Sequence, residues 1–188
     1  MARVTLTLKA ILTAALVALP FAASHAANDK SRTYKDWSVS ASGEAADDNA
    51  QVTCTMEADK LDGILLMSIQ HQGPAADASD RRSTITLLKG LGEDGQPMAL
   101  APEDLASTWS FDGKTRISTI LDWDFTDGRN NFTVPSAHTG PILAAMAKGN
   151  TLTLTVAAFG EETVSLAGFS AVYRKMSDWC QFSLDGVL

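Results

Sequence analysis

The chain contains 188 residues with 22 acidic and 15 basic side chains, a formal net charge of −7, 45% hydrophobic residues and two cysteines. This length predicts one domain with its own buried core, and two cysteines exclude a disulfide-rich miniature scaffold. Because the net charge is negative and the lysines and arginines are scattered, we expect no nucleic-acid partner.

The N-terminal segment is typical of a cleaved secretory signal. Arg3 and Lys9 precede a short apolar run that ends at Phe21, and small residues lie just before the expected cut. The apolar run is shorter than the roughly 20 residues that a membrane span needs. We therefore expect residues 1–26 to be removed, leaving one domain at 27–188 with no integral membrane segment. The alternative is an uncleaved N-terminal anchor.

The expected export bears on whether the two cysteines are oxidised. In an oxidising compartment, Cys54 and Cys180 are expected to form a disulfide that joins the start of the domain to its end. The alternative is a catalytic thiol at Cys180 beside Trp179. The expected location is the periplasm, the cell surface or the medium.

Alternation of polar and apolar residues predicts a mainly β fold. Asp112-Gly113 suits a type I′ hairpin, because both turn positions need positive φ. A four-residue turn is expected at 127–130. The predicted strands cover 34–40, 51–57, 64–70, 83–88, 109–111, 114–120, 121–125, 132–134, 152–156 and 163–167.

Helical signals are confined to the C-terminal third. Thr139 or Gly140 can cap a helix that has Pro141 in its first turn, and Gly149 can end it. A second short helix is predicted over 169–176. Many short strands with polar turns and two short helices predict an antiparallel β-sandwich.

Several segments resemble the invasion-associated locus B family of exported bacterial proteins. They are 143–149, 164–171, the opening Tyr-Lys-Asp-Trp-Ser-Val at 34–39, and Cys-Thr-Met at 54–56. Members usually carry further cysteines, one of them where this chain has Ala41, so the chain looks like a divergent member. The resemblance implies a periplasmic or surface-associated β-sandwich, linked in some pathogens to host-cell invasion, without an established catalytic activity.

One group of acids has a spacing that suggests catalytic or metal-binding chemistry. Asp122, Asp124 and Asp127 suggest a calcium loop, but their spacing does not fit the EF-hand pattern. They also suggest paired carboxylates for acid/base chemistry, whereas a solvent-facing strand edge is the simpler interpretation. His71 and His138 are both expected in loops, where they form neither a zinc site nor a triad. We expect no metal, no cofactor and no catalytic residue.

The tryptophans suggest a binding role. Trp37, Trp109 and Trp123 could form an aromatic platform for a sugar or a partner protein, although core packing is the favoured interpretation of these side chains. The leading hypothesis is an exported noncatalytic β-domain that binds an envelope or host protein. The alternatives are a small periplasmic hydrolase that uses the three acids, and an envelope assembly or stress factor.

Overall fold

Antiparallel strands and two helices make up the part of the chain that the structure describes. The predicted signal at 1–26 lies outside it. The computed structural model describes residues 30–43, 52–58, 66–72, 82–92 and 95–188. In chain order the elements are β1 (Lys30–Tyr34), β2 (Trp37–Ser42), β3 (Thr53–Ala58), β4 (Leu66–Gln72), β5 (Thr84–Lys89), a 3₁₀ turn (Pro102–Leu105), β6 (Ala106–Phe111), β7 (Thr115–Ile120), β8 (Asp122–Thr126), β9 (Arg129–Thr133), α1 (Ser136–Lys148), β10 (Thr151–Val156), β11 (Gly160–Ser165) and α2 (Phe169–Cys180).

The strands form two sheets around a shared core. The seven-stranded sheet has the order β1-β2-β3-β4-β5-β9-β8, and the four-stranded sheet has the order β11-β10-β6-β7. Apolar side chains from both sheets and both helices form one buried cluster, in which Trp37, Trp109 and Phe132 are fully buried. The predicted antiparallel β-sandwich with two short helices is confirmed.

Two hairpins turn at Asp-Gly dipeptides. The φ angles are 50° and 67° in Asp112-Gly113, and 55° and 72° in Asp127-Gly128. Positive φ at both positions is the type I′ conformation, which matches the twist of the flanking strands. The predicted hairpin at Asp112-Gly113 is therefore confirmed. The second turn is shorter than predicted, because β9 already begins at Arg129.

The predicted strand 34–40 is correct only over 37–40, because a turn at 35–36 separates these residues from Tyr34 in another strand. Tyr34 pairs with Trp37 around a two-residue turn, in which Lys35 has a φ of 55°. No local pattern predicts this turn, since Lys35-Asp36 lacks the glycine that usually marks a tight hairpin. The consequence is an additional edge strand, β1.

The helix α1 begins earlier than predicted. Its first residue is Ser136, so Thr139 and Gly140 lie inside the helix and do not cap it, and Pro141 also lies within the helix. Pro141 is exposed, so the backbone bond that its ring removes leaves a carbonyl that water can reach. Gly149 directly follows the last helical residue, as predicted.

The helix α2 is longer than the predicted segment 169–176. Its buried face continues from Val172 and Met176 to Cys180, and it packs on β1, β2 and β3. The helix extends to Cys180 because its last turn is stabilised by burial against the sheet. Within the described residues, no helix has the length and apolar character to cross a bilayer.

The β1–β2 turn packs against the loop between β11 and α2. Trp37 Nε1 donates a hydrogen bond to the Ser165 carbonyl at 2.8 Å. Gly168, just before α2, has a φ of 94°, and a Cβ there would lie 2.0 Å from the Tyr34 carbonyl oxygen. This junction therefore requires glycine.

Candidate functional site

The two cysteines form the predicted disulfide. Cys54 lies in β3 and Cys180 at the end of α2, with 6.1 Å between their Cα atoms, and both are buried. The bond attaches α2 to the first sheet. Because a disulfide sulfur carries no thiolate, the catalytic-thiol alternative at Cys180 does not apply to this form of the protein.

Two of the three tryptophans proposed for interaction are core residues. Trp37 and Trp109 are both 0% exposed, and the indole nitrogen of Trp109 donates to Ser107 Oγ at 3.1 Å. The prediction of a binding surface is wrong for these two, because inward positions on strands of both sheets place them between the layers. Trp123 is half-buried and lies on the edge strand β8.

The structure distributes the three acids along β8 and its turn. Asp122 is the first residue of the strand, while Asp127 follows its last residue, about 16 Å further along at 3.3 Å per residue. Asp124 accepts hydrogen bonds from Thr126 Oγ1 at 2.9 Å and Asn131 Nδ2 at 2.8 Å. Among the described residues, no group of three or more His, Cys, Asp or Glu side chains could hold a metal ion.

A buried asparagine positions Trp123. Asn130 is 0% exposed, and its Oδ1 accepts hydrogen bonds from the Met98 amide at 3.1 Å and from Trp123 Nε1 at 3.4 Å. Its Nδ2 donates to the Gly90 carbonyl at 2.7 Å. One amide side chain thus satisfies three polar groups and holds the indole against β9.

The strand β8 is an open edge of the seven-stranded sheet. It pairs with β9 alone, so half of its backbone groups have no strand partner in the described part of the chain. Phe125, which lies on the same face of β8 as Trp123, is 38% exposed because the sheet ends here. The result is an exposed aromatic side chain beside unpaired backbone groups.

A polar cleft of about 560 Å³ opens beside the first turn of α1. Arg82, two residues before β5, and Asp122, the first residue of β8, both line it. The remaining polar walls are hydroxyl and amide side chains: Gln70, Ser83, Thr84, Thr133, Ser136 and Thr139. Because the lining comes from separate strands and a helix, no local motif reveals it.

A hydrogen-bonded chain leads from this cleft into the core. Ser83 Oγ lies 3.3 Å from His71 Nδ1 and 3.3 Å from the Tyr173 hydroxyl. The imidazole also stacks on Phe182, with 3.9 Å between ring centroids. The loop expected around His71 is wrong, because this residue lies in β4 with its side chain buried. His138, also expected in a loop, lies in α1.

Burial shifts the pKa values of His71 and Tyr173. Desolvation lowers the pKa of His71 from 6.5 to about 4, so the imidazole is neutral at neutral pH. Burial raises the pKa of Tyr173, and its hydrogen bond with Ser83 acts in the opposite direction. With so low a pKa, His71 is a weak base for activating the Ser83 hydroxyl.

Alternation along β4 could have revealed part of this arrangement. Met67 and Ile69 face the core, and His71 continues the same period-two pattern. Nothing local could have added Tyr173, which is separated from Ser83 by 90 positions.

No family model, curated protein or solved structure matches the chain. The resemblance to the invasion-associated locus B family therefore remains a prediction from short motifs.

Proposed function

We propose that the chain is an exported noncatalytic binding domain whose strand β8 takes up an extended segment of a partner protein. The observation that carries this proposal is the open edge of β8 with its exposed Phe125. An extended segment that adds to such an edge gains backbone hydrogen bonds, and neighbouring side chains give specificity.

The strand register identifies the backbone groups that are available. Thr126 and Arg129 flank the two-residue turn and form its closing hydrogen-bonded pair. Bonding alternates along an antiparallel pair, so the Asp124 amide also points to β9. The amides of Trp123 and Phe125 therefore point to the free edge, where a partner strand can accept from them.

The side chains beside this edge indicate the chemistry of the partner. Asp122 and Asp124 are exposed on one face of β8, and the aromatic side chains of Trp123 and Phe125 lie on the other. A segment with cationic residues on one face and apolar residues on the other complements both. The acidic face also disfavours pairing with a second acidic edge.

Two features support export. The Cys54–Cys180 disulfide is typical of oxidising compartments. The N-terminal 26 residues have the pattern of a secretory signal. With the resemblance described above, these features favour an envelope or host protein as partner, and a location in the periplasm, at the cell surface or in the medium.

Two substitutions at one position test this proposal. Phe125→Ala removes the aromatic side chain and keeps the outward amide, whereas Phe125→Pro removes both and leaves the β8–β9 ladder intact. Each variant is used to capture partners from the native envelope, and hydrogen exchange is measured with and without the captured protein. We expect Phe125→Ala to weaken capture, Phe125→Pro to abolish it, and the wild-type Trp123 and Phe125 amides to gain protection.

Two results would contradict the proposal. One is a partner that Phe125→Pro binds as well as wild type does. The other is turnover in a substrate screen without any captured partner, which would favour an enzyme.

A further inference from the structure

The polar cleft contains two opposite charges, one on Arg82 and one on Asp122. Arg82 and Asp122 are exposed, and neither side chain makes a hydrogen bond or an ion pair with any residue of the chain that the structure describes. Thr84 and Ser136 line the same space, and their hydroxyls have no hydrogen-bond partner among the described residues. A ligand that fits this lining carries both a negative and a positive group, with polar atoms between them.

The strand register gives the approximate separation of the Arg82 and Asp122 Cα atoms. Asp122 pairs with Thr133, and Thr133 pairs with Thr86, so Asp122 lies roughly 10 Å across the sheet from Thr86, two strand spacings away. Arg82 precedes Thr86 by four positions, which adds about 13 Å along the strand direction. The Cα atoms are therefore roughly 16 Å apart, and the two side chains form no ion pair, so a ligand that contacts both must span the space between them.

The separation of Arg82 and Asp122 limits which zwitterions can contact both side chains. A free amino acid holds its ammonium and carboxylate groups too close together to reach both side chains. An extended peptide spans about 3.5 Å per residue, so two or three residues hold the two end groups roughly 7 to 10 Å apart and let them reach different walls of the cleft. The cleft volume of about 560 Å³ lies in the range of small-molecule sites.

We propose that the cleft binds a short zwitterionic peptide of two or three residues, with its carboxylate at Arg82 and its ammonium at Asp122. Thr84 and Ser136 provide hydroxyls for the peptide backbone. This site shares Asp122 with the β8 edge, but it does not depend on the function proposed above.

The experiment pairs changes in the ligand with changes in the protein. Trialanine, its N-acetylated form and its C-amidated form are titrated calorimetrically into the full chain, Arg82→Gln and Asp122→Asn. For wild type we expect acetylation and amidation each to weaken binding about fivefold, as for solvent-accessible ion pairs. Asp122→Asn should bind free and acetylated peptide equally, and Arg82→Gln should bind free and amidated peptide equally.

Matched controls lie on the same hairpin outside the cleft. Asp127→Asn and Arg129→Gln change one charge each, and both should bind like wild type. Far-UV circular dichroism establishes that every variant is folded. Any one of three outcomes overturns the proposal. Trialanine does not bind at millimolar concentration; its free, acetylated and amidated forms bind wild type with equal affinity; or the neutral sugar maltotriose binds more tightly than trialanine.

Discussion

Acidification should destabilise the domain through His71. This side chain is 3% exposed, and burial lowers its pKa from 6.5 to about 4. Between these two pH values the unfolded chain takes up a proton that the folded domain does not. Stability from this group is therefore constant above pH 6.5, falls as the pH drops towards 4, and levels off below it. At 1.36 kcal/mol per pKa unit, the loss by pH 4 is about 3 kcal/mol.

A comparison of wild type with His71→Gln isolates this effect. Carboxylates titrate in the same pH range in both proteins, so the difference between their free energies of unfolding reports on the imidazole. Urea unfolding with the disulfide intact can be followed by tryptophan fluorescence, because Trp37 and Trp109 are fully buried. Between pH 7 and 4, wild type should lose about 3 kcal/mol more than the variant. Parallel pH profiles of the two proteins would refute the reasoning.

Two further predictions concern stability. Gly168→Ala should lower the free energy of unfolding by about 2 to 4 kcal/mol, because its Cβ would lie 2.0 Å from a backbone oxygen. Gly160→Ala, with a φ of 85° but open space around the new Cβ, should cost only about 1 kcal/mol, and equal losses in urea unfolding would contradict the clash. Replacing Cys54 and Cys180 together by alanine opens a covalent loop of 126 positions and should cost about 4 to 5 kcal/mol. Denaturation midpoints that are unchanged by this double substitution would show that the bond adds no stability.

The features that were predicted correctly depend on local or compositional rules. The hairpin at Asp112-Gly113 is predictable from the preference of glycine for positive φ alone. The disulfide is predictable from the presence of two cysteines in a protein of an oxidising compartment. The edge strand β1 was missed because Lys35-Asp36 turns without a glycine. The extent of α2 was missed because its last turn is stabilised by burial against the sheet.

The candidate sites were predicted less well than the fold. Aromatic residues suit both a core and a binding surface, so composition could not separate buried Trp37 from Trp123 at the sheet edge. The polar cleft joins Arg82 to Asp122, which are 40 positions apart in the sequence and share no motif. Their proximity follows from the insertion of β9 between β5 and β8, which is a property of the sheet order.

The two proposed sites meet at Asp122, which begins β8 and also lines the cleft. A partner whose chain end occupies the cleft while its body pairs with β8 would use both sites at once. Asp122→Asn and Phe125→Pro would then reduce affinity for that partner non-additively, because loss of one contact releases the segment that makes the other. Two independent ligands would instead each respond to one substitution. The affinity of the double variant for each ligand therefore decides whether the chain has one extended binding surface or two separate sites.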